Sequence, residues 1–239
     1  MAQNEQRRQK KMAIKKSKRK EEQRVVARVQ SSGIRGQMEA AQHWPVVQAC
    51  VSAGMWEHGM GEALLVRRGP GGMTAFVLFL LDVYCLGVKD VIAHAAPEHV
   101  AANWLSGLFE RTGPWIDVAP EHVRKLVEGS MGYALSLGLA PHRDCAAALL
   151  IFGDLDSSRC STEFTFGNDG QPCFIAGPHD TQARIREILV TLKRTCGPNG
   201  FHFTIPSATA TVSSELADVI DGTGGRVIDA LEFESAERE

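Results

Sequence analysis

From Ala75 to Leu81 the chain runs AFVLFLL without one polar side chain, inside the longer stretch Thr74–Asp90, TAFVLFLLDVYCLGVKD. No other segment limits the fold so strongly. The run is well short of the roughly 20 apolar residues that cross a bilayer, and Asp82 closes it. Successive side chains of a strand point to opposite faces, so an unbroken apolar strand has to be covered on both sides. The expectation is an α+β chain in which mixed hairpins and helices surround a buried central strand at about 74–85.

The flanking sequence supplies those elements. Glu62–Arg68 and the central strand enclose Gly69-Pro70-Gly71-Gly72, a hairpin connection whose glycines can take positive φ. Before it, His43-Trp44-Pro45 leads into Val46, Val47, Cys50 and Val51, spaced as one helical face with Pro45 in the first turn. Ala-Pro-Glu-His-Val occurs at 96–100 and again at 119–123. Each copy is expected to open a helix, with Pro at the first helical position and Glu complementing the dipole. The first helix should bury Val100, Trp104, Leu105, Leu108 and Phe109. The second should bury Val123, Leu126, Val127, Met131, Ala134 and Leu137, stopping at Gly138.

Further on, Asp144 is placed to cap a short helix at 145–152. Gly167-Asn168-Asp169-Gly170 predicts a hairpin between strands at 163–166 and 172–176. Asp180 or Thr181 caps a helix with Ile185, Ile188, Leu189 and Leu192 on one face, ended by Gly197-Pro198. Strands are expected at 201–205 and 226–233, a helix at 215–220, and a frayed acidic end at 232–239. The organisation expected is a basic disordered tail at 1–33 and one α+β domain at 38–239, with a sub-boundary near 157–162.

Charge is divided sharply along the chain. Residues 1–28 carry eleven Lys and Arg against three Glu, a net of +8, and the whole chain sums to -2, so the remainder carries -10. With almost nothing to bury, the tail is expected to be disordered or to become a solvated helix on contact with a partner. Arg7, Arg8, Lys10, Lys11, Lys15, Lys16, Lys18, Arg19 and Lys20 are its candidate contacts to RNA, DNA or a ribonucleoprotein. With no aromatic residue to stack on bases, that binding should be sequence-tolerant and salt-sensitive. A solubilising tail is the plainer use of the same charges. The charged N-terminus has no apolar signal-peptide core, and the six cysteines show no CxxC pairing, so reduced thiols in a cytoplasmic protein without a membrane partner are expected.

Two polar clusters could carry chemistry. In the first, Cys85 lies near Lys89, which would favour a nucleophilic thiolate; its apolar surroundings favour a packed core thiol, and Asp82 and Lys89 are expected to pair at the sheet edge. In the second, His142 and Asp144 are followed by Asp154 and Asp156. These are ligand types for a divalent cation, with His142 available as acid or base, although Asp144 as a helix cap and Asp154 and Asp156 as turn residues explain them equally. Gly177-Pro178-His179-Asp180 opens a helix whose N–H groups could hold an anion or be satisfied by Asp180 itself. Gly222-Thr223-Gly224-Gly225 reads as a turn, lacking a P-loop ending.

Asp82–Lys89 (DVYCLGVK), Tyr133–Asp144 (YALSLGLAPHRD) with Phe152–Asp156 (FGDLD), and Phe166–Asp180 (FGNDGQPCFIAGPHD) resemble an uncharacterised bacterial protein family. The resemblance covers most of residues 43–203 with the basic leader. It implies no reaction and points to the same residues. Three functions therefore remain: a binding or adaptor protein with a nucleic-acid-binding arm, a metal-dependent hydrolase or phosphoryl-transfer enzyme using His142, Asp144, Asp154 and Asp156, and a small-ligand or protein-interaction module.

Overall fold

The apolar run becomes β3 (Met73–Asp82) of a five-stranded antiparallel sheet. In a computed structural model that describes residues 2–206, 214–221, 223 and 226–228, the sheet order is β4-β3-β2-β1-β5. The other strands are β1 (Val46–Ser52), β2 (Met60–Arg68), β4 (Gly87–Pro97) and β5 (Trp115–Asp117). Both faces of β3 are covered, as its composition requires. Ala75, Val77, Phe79 and Leu81 join one core with Leu65, Val127 and Phe152. Phe76 and Leu78 join another beneath the helix α4 (Glu98–Arg111), where Phe76 stacks on Trp104 at 4.5 Å. The α5 helix (Pro120–Ser136) packs on the first face, with Phe152 stacked on Phe79 at 5.6 Å. Gly71 and Gly72 turn the β2–β3 connection with φ of 65° and 71°.

Val46–Ser52 is a strand, not the expected helix, paired with β2 on one side and β5 on the other. A short apolar run has no decisive period, and the β-branched Val46, Val47 and Val51 suit the sheet, where β2 needs a second partner. Of the two Ala-Pro-Glu-His-Val copies, Pro120 is the first residue of α5, but Pro97 is the last residue of β4 and lies just outside α4. Val100, expected to be buried, is 44% exposed. The strand β4 has no continuous apolar run: Lys89, Asp90 and His94 interrupt it, and they and Ile92 lie outside the buried set.

Arg67 is the least expected core residue. It is buried, and its guanidinium donates to the carbonyls of Ile151 (2.6 Å), Phe152 (2.9 Å) and Trp44. Burial pushes its pKa down, and the three carbonyls compensate the charge where water cannot. The clamp fastens the short helix α6 (Cys145–Ala148) and its following turn to the sheet. Asp144 stands at the start of α6, although its side chain makes no cap hydrogen bond.

A smaller lobe follows: β6 (Cys173–Ile175), α7 (Gln182–Cys196), β7 (His202–Pro206), α8 (Ser214–Ile220) and β8 (Arg226–Ile228), with the three strands parallel in the order β6-β7-β8. Thr181 caps α7 by accepting from Arg184 N–H. The hairpin expected around Gly167–Gly170 is not formed. The tight turn exists, with a bridge between Asn168 and Gln171, but 163–166 is not a strand. Phe164 and Phe166 pack instead against Trp56, at 6.0 and 5.8 Å. β6 turns inward because Phe174 belongs to the lobe's core, with Ile185, Leu189, Phe203 and the buried Cys85. The frayed end expected at 232–239 and the Gly222, Gly224 and Gly225 positions lie outside the described residues, as does the final strand after Ile228.

The basic segment, expected to be disordered or to fold on contact, is the helix α1 (Ala2–Ser31). It meets the body near its end, where Val29 is 3% exposed and Val26 packs against the same core. The next helix, α2 (Ile34–Ala41), covers β4, and buried Gln37 accepts the Ala95 N–H of that strand at 2.8 Å. A one-turn helix, α3 (Met55–His58), precedes β2.

Candidate functional site

The structure brings the two polar clusters partly together. His142 follows α5, and its backbone N–H donates to Val88 on β4 at 3.0 Å. Its Nδ1 accepts the Asp144 N–H at 3.3 Å, which leaves Nε2 to carry the proton, 3.7 Å from Asp90 Oδ1. Asp144 Oδ2 lies 4.0 Å from Nδ1. Lys89, next along β4, places Nζ 3.8 Å from Asp180 Oδ2. That oxygen accepts the Gly177 N–H at 2.7 Å, so Asp180 closes the loop leading into α7.

Lys89, His142, Asp180 and Arg184 line a cleft of about 240 Å³ walled by Leu86, Val88 and Leu139. Lys89 and Asp90 on β4, His142 in the loop after α5, and Asp180 and Arg184 at the start of α7 are far apart in sequence. The Gly-Pro-His-Asp stretch marked the α7 end, but Arg184 carried no separate signal.

Asp82 does not pair with Lys89 at the sheet edge. It is 3% exposed and accepts the N–H groups of Tyr84 (3.1 Å) and Cys85 (2.8 Å), shaping the turn between β3 and β4. Burial pushes its pKa up to about 6, while those N–H groups and the more distant Lys89 oppose the rise. Cys85 is fully buried, and desolvation, then Asp82, push its thiol well above the ordinary range. This placement favours core packing over nucleophilic use.

Asp154 and Asp156 belong to a different place. Asp154, 88% exposed, pairs with His43 at 3.1 Å. Asp156 accepts Ser158 N–H at 3.0 Å and its hydroxyl at 2.7 Å, and these bonds hold its carboxyl below the usual range. The expected cation site is therefore not assembled: no group of three or more His, Cys, Asp or Glu among the described residues could hold a metal ion.

On α1, Arg7, Arg8, Lys10, Lys11, Lys15, Lys16, Lys20 and Arg24 are exposed. At 3.6 residues per turn these positions go round the whole helix. The side chains of Lys18 and Arg19 lie outside the described residues. Met12 and Ile14 are 65% and 61% exposed, and no apolar stripe lies between the charges among the described side chains. Over 30 residues the helix is about 45 Å long. No helix among the described residues is long and apolar enough to cross a membrane. Comparison with family models, curated proteins and solved structures found no match to this chain.

Proposed function

We propose that the protein is a cytoplasmic binding or adaptor protein whose basic helix α1 contacts RNA, DNA or a ribonucleoprotein and tethers the acidic body to it. One observation carries the reading: a long helix with cations on all sides, attached to the body near one end. Such a rod can meet a polyphosphate without opposing the repulsion of the body, and each phosphate it neutralises releases condensed counterions. Its described side chains do not form the apolar face that an interfacial membrane helix requires. The metal-dependent enzyme reading receives no support from the placement of Asp154 and Asp156 away from His142. The six free cysteines, five of them buried, accord with a reducing compartment.

The test is nucleic-acid content and salt-dependent elution from a polyphosphate matrix, for the full chain and for a chain lacking residues 1–30. The full protein should carry RNA or DNA and elute late at low salt; the truncated one should be clean and elute early. Equal behaviour of the two would overturn the reading.

A further inference from the structure

We propose that the cleft between β4 and the start of α7 binds a small phosphomonoester, with its phosphate on Lys89, His142 and Arg184. This goes beyond the function proposed for α1 and does not rest on it.

The first support is convergence: Lys89 on β4, His142 in the loop after α5 and Arg184 at the start of α7 line one cleft, against the loop that leads from β6 into α7. The second is unspent donor capacity. The Lys89 side chain is only 23% exposed, and the carboxylate nearest its ammonium among the described residues, Asp180 at 3.8 Å, is beyond hydrogen-bond reach, with Asp82 more distant still. Its three donors can therefore turn into the cleft. Arg184 spends one N–H on Glu187 at 2.8 Å, out of the five a guanidinium has. His142 presents Nε2–H, since its other nitrogen already accepts from Asp144, and the neighbouring Asp90 carboxylate, at 3.7 Å, is beyond hydrogen-bond reach.

The third support is the match of shape and charge. Donors arriving from three separate segments suit a tetrahedral anion, whose oxygens point in every direction, better than a planar carboxylate. Asp180 does not occupy that place, because its Oδ2 is held by Gly177 N–H. Its carboxylate can instead accept a hydroxyl from the organic part of the ligand. A volume of about 240 Å³ is below the roughly 300–1,000 Å³ of common ligand pockets, so the ligand is small and its body rests on Leu86 and Val88.

The experiment is calorimetric titration of the full-length protein with inorganic phosphate in 0.15 M (about physiological) salt, with acetate as the carboxylate control. Saturable one-to-one binding of phosphate, and none of acetate, is expected. Lys89→Met should weaken binding at least tenfold, Arg184→Ala severalfold, and Arg186→Ala, on the exposed side of α7, not at all. If Lys89→Met fails to fold by circular dichroism, Arg184→Ala carries the test, being a surface change. A full-length variant with Lys10, Lys11, Lys15 and Lys16 changed to Gln should bind phosphate normally. Absence of saturable binding, or binding that survives Lys89→Met or Arg184→Ala, overturns the proposal; such survival together with loss in the α1 variant would place the phosphate on α1 and leave the function proposed there standing.

Discussion

Asp82 shows how one buried carboxylate can shape a turn and cost stability at the same time. Its oxygen holds the Tyr84 and Cys85 N–H groups, yet burial raises its pKa from 3.8 to about 6. Between those two values the native state binds more protons than the unfolded chain. Stability is therefore highest below pH 4 as far as this group is concerned, falls as pH rises through the native value, and is lower above it by up to about 3 kcal/mol. Asparagine keeps the accepting oxygen without the charge. Asp82→Asn should match the parent in urea unfolding at low pH and exceed it near pH 7.5, by up to about 3 kcal/mol. A stability difference that does not change with pH would show that the carboxylate is not titrating in this window.

At the scale of elements, the close approach of β4 to α5 sets the geometry around the cleft. Gly87 has φ of 67°, and a β-carbon there would lie 2.7 Å from the Ser130 carbonyl and 2.8 Å from Ala134 Cβ. Gly87→Ala should cost about 2–4 kcal/mol, combining the left-handed backbone penalty with overpacking against a helix backbone, and a chemical melt would measure it. That constraint was hard to read beforehand, because Cys-Leu-Gly-Val within a polar cluster does not announce a strand start. β3, by contrast, was legible from its own residues, since nothing but two-sided burial accommodates Ala75–Leu81. α5 and α7 were legible from their periodic apolar faces and from Pro120 and Thr181 at their starts. β1 was not, because four apolar positions fit a helix face and a buried strand alike, and only the need of β2 for a partner decides. The Gly167–Gly170 turn was read correctly and its strands were not: turn chemistry is local, whereas β6 pairs with β7, a strand on the far side of α7 in the sequence. The site divides in the same way. Lys89 and His142 stood out as chemical types, but their meeting with Asp180 and Arg184 depends on the fold of the second lobe, and Arg67 gave no signal because its partners are backbone carbonyls.

Across the whole molecule the dominant fact is the separation of +8 on residues 1–28 from -10 on the rest. A rod about 45 Å long that meets the body near Val26 and Val29 is several times longer than a Debye length, about 8 Å at physiological salt. Under the tethering role proposed for α1, the two charges act separately: the helix attracts polyanions, the body repels them, and binding is confined to α1. The salt dependence of affinity for duplex DNA should report only the helix. Substituting Gln for Lys10, Lys11, Lys15 and Lys16 in the full chain should reduce the slope of log K against log salt by up to about 3.6, at about 0.9 for each phosphate no longer neutralised. Neutralising Arg124 and Lys125 on the body should leave it unchanged, because Glu128 and Glu163 already pair with them at 2.7 Å. A slope that falls with the body substitutions and not with those on α1 would place the polyanion on the body, against its net charge, and would exclude the tethering role proposed for the helix.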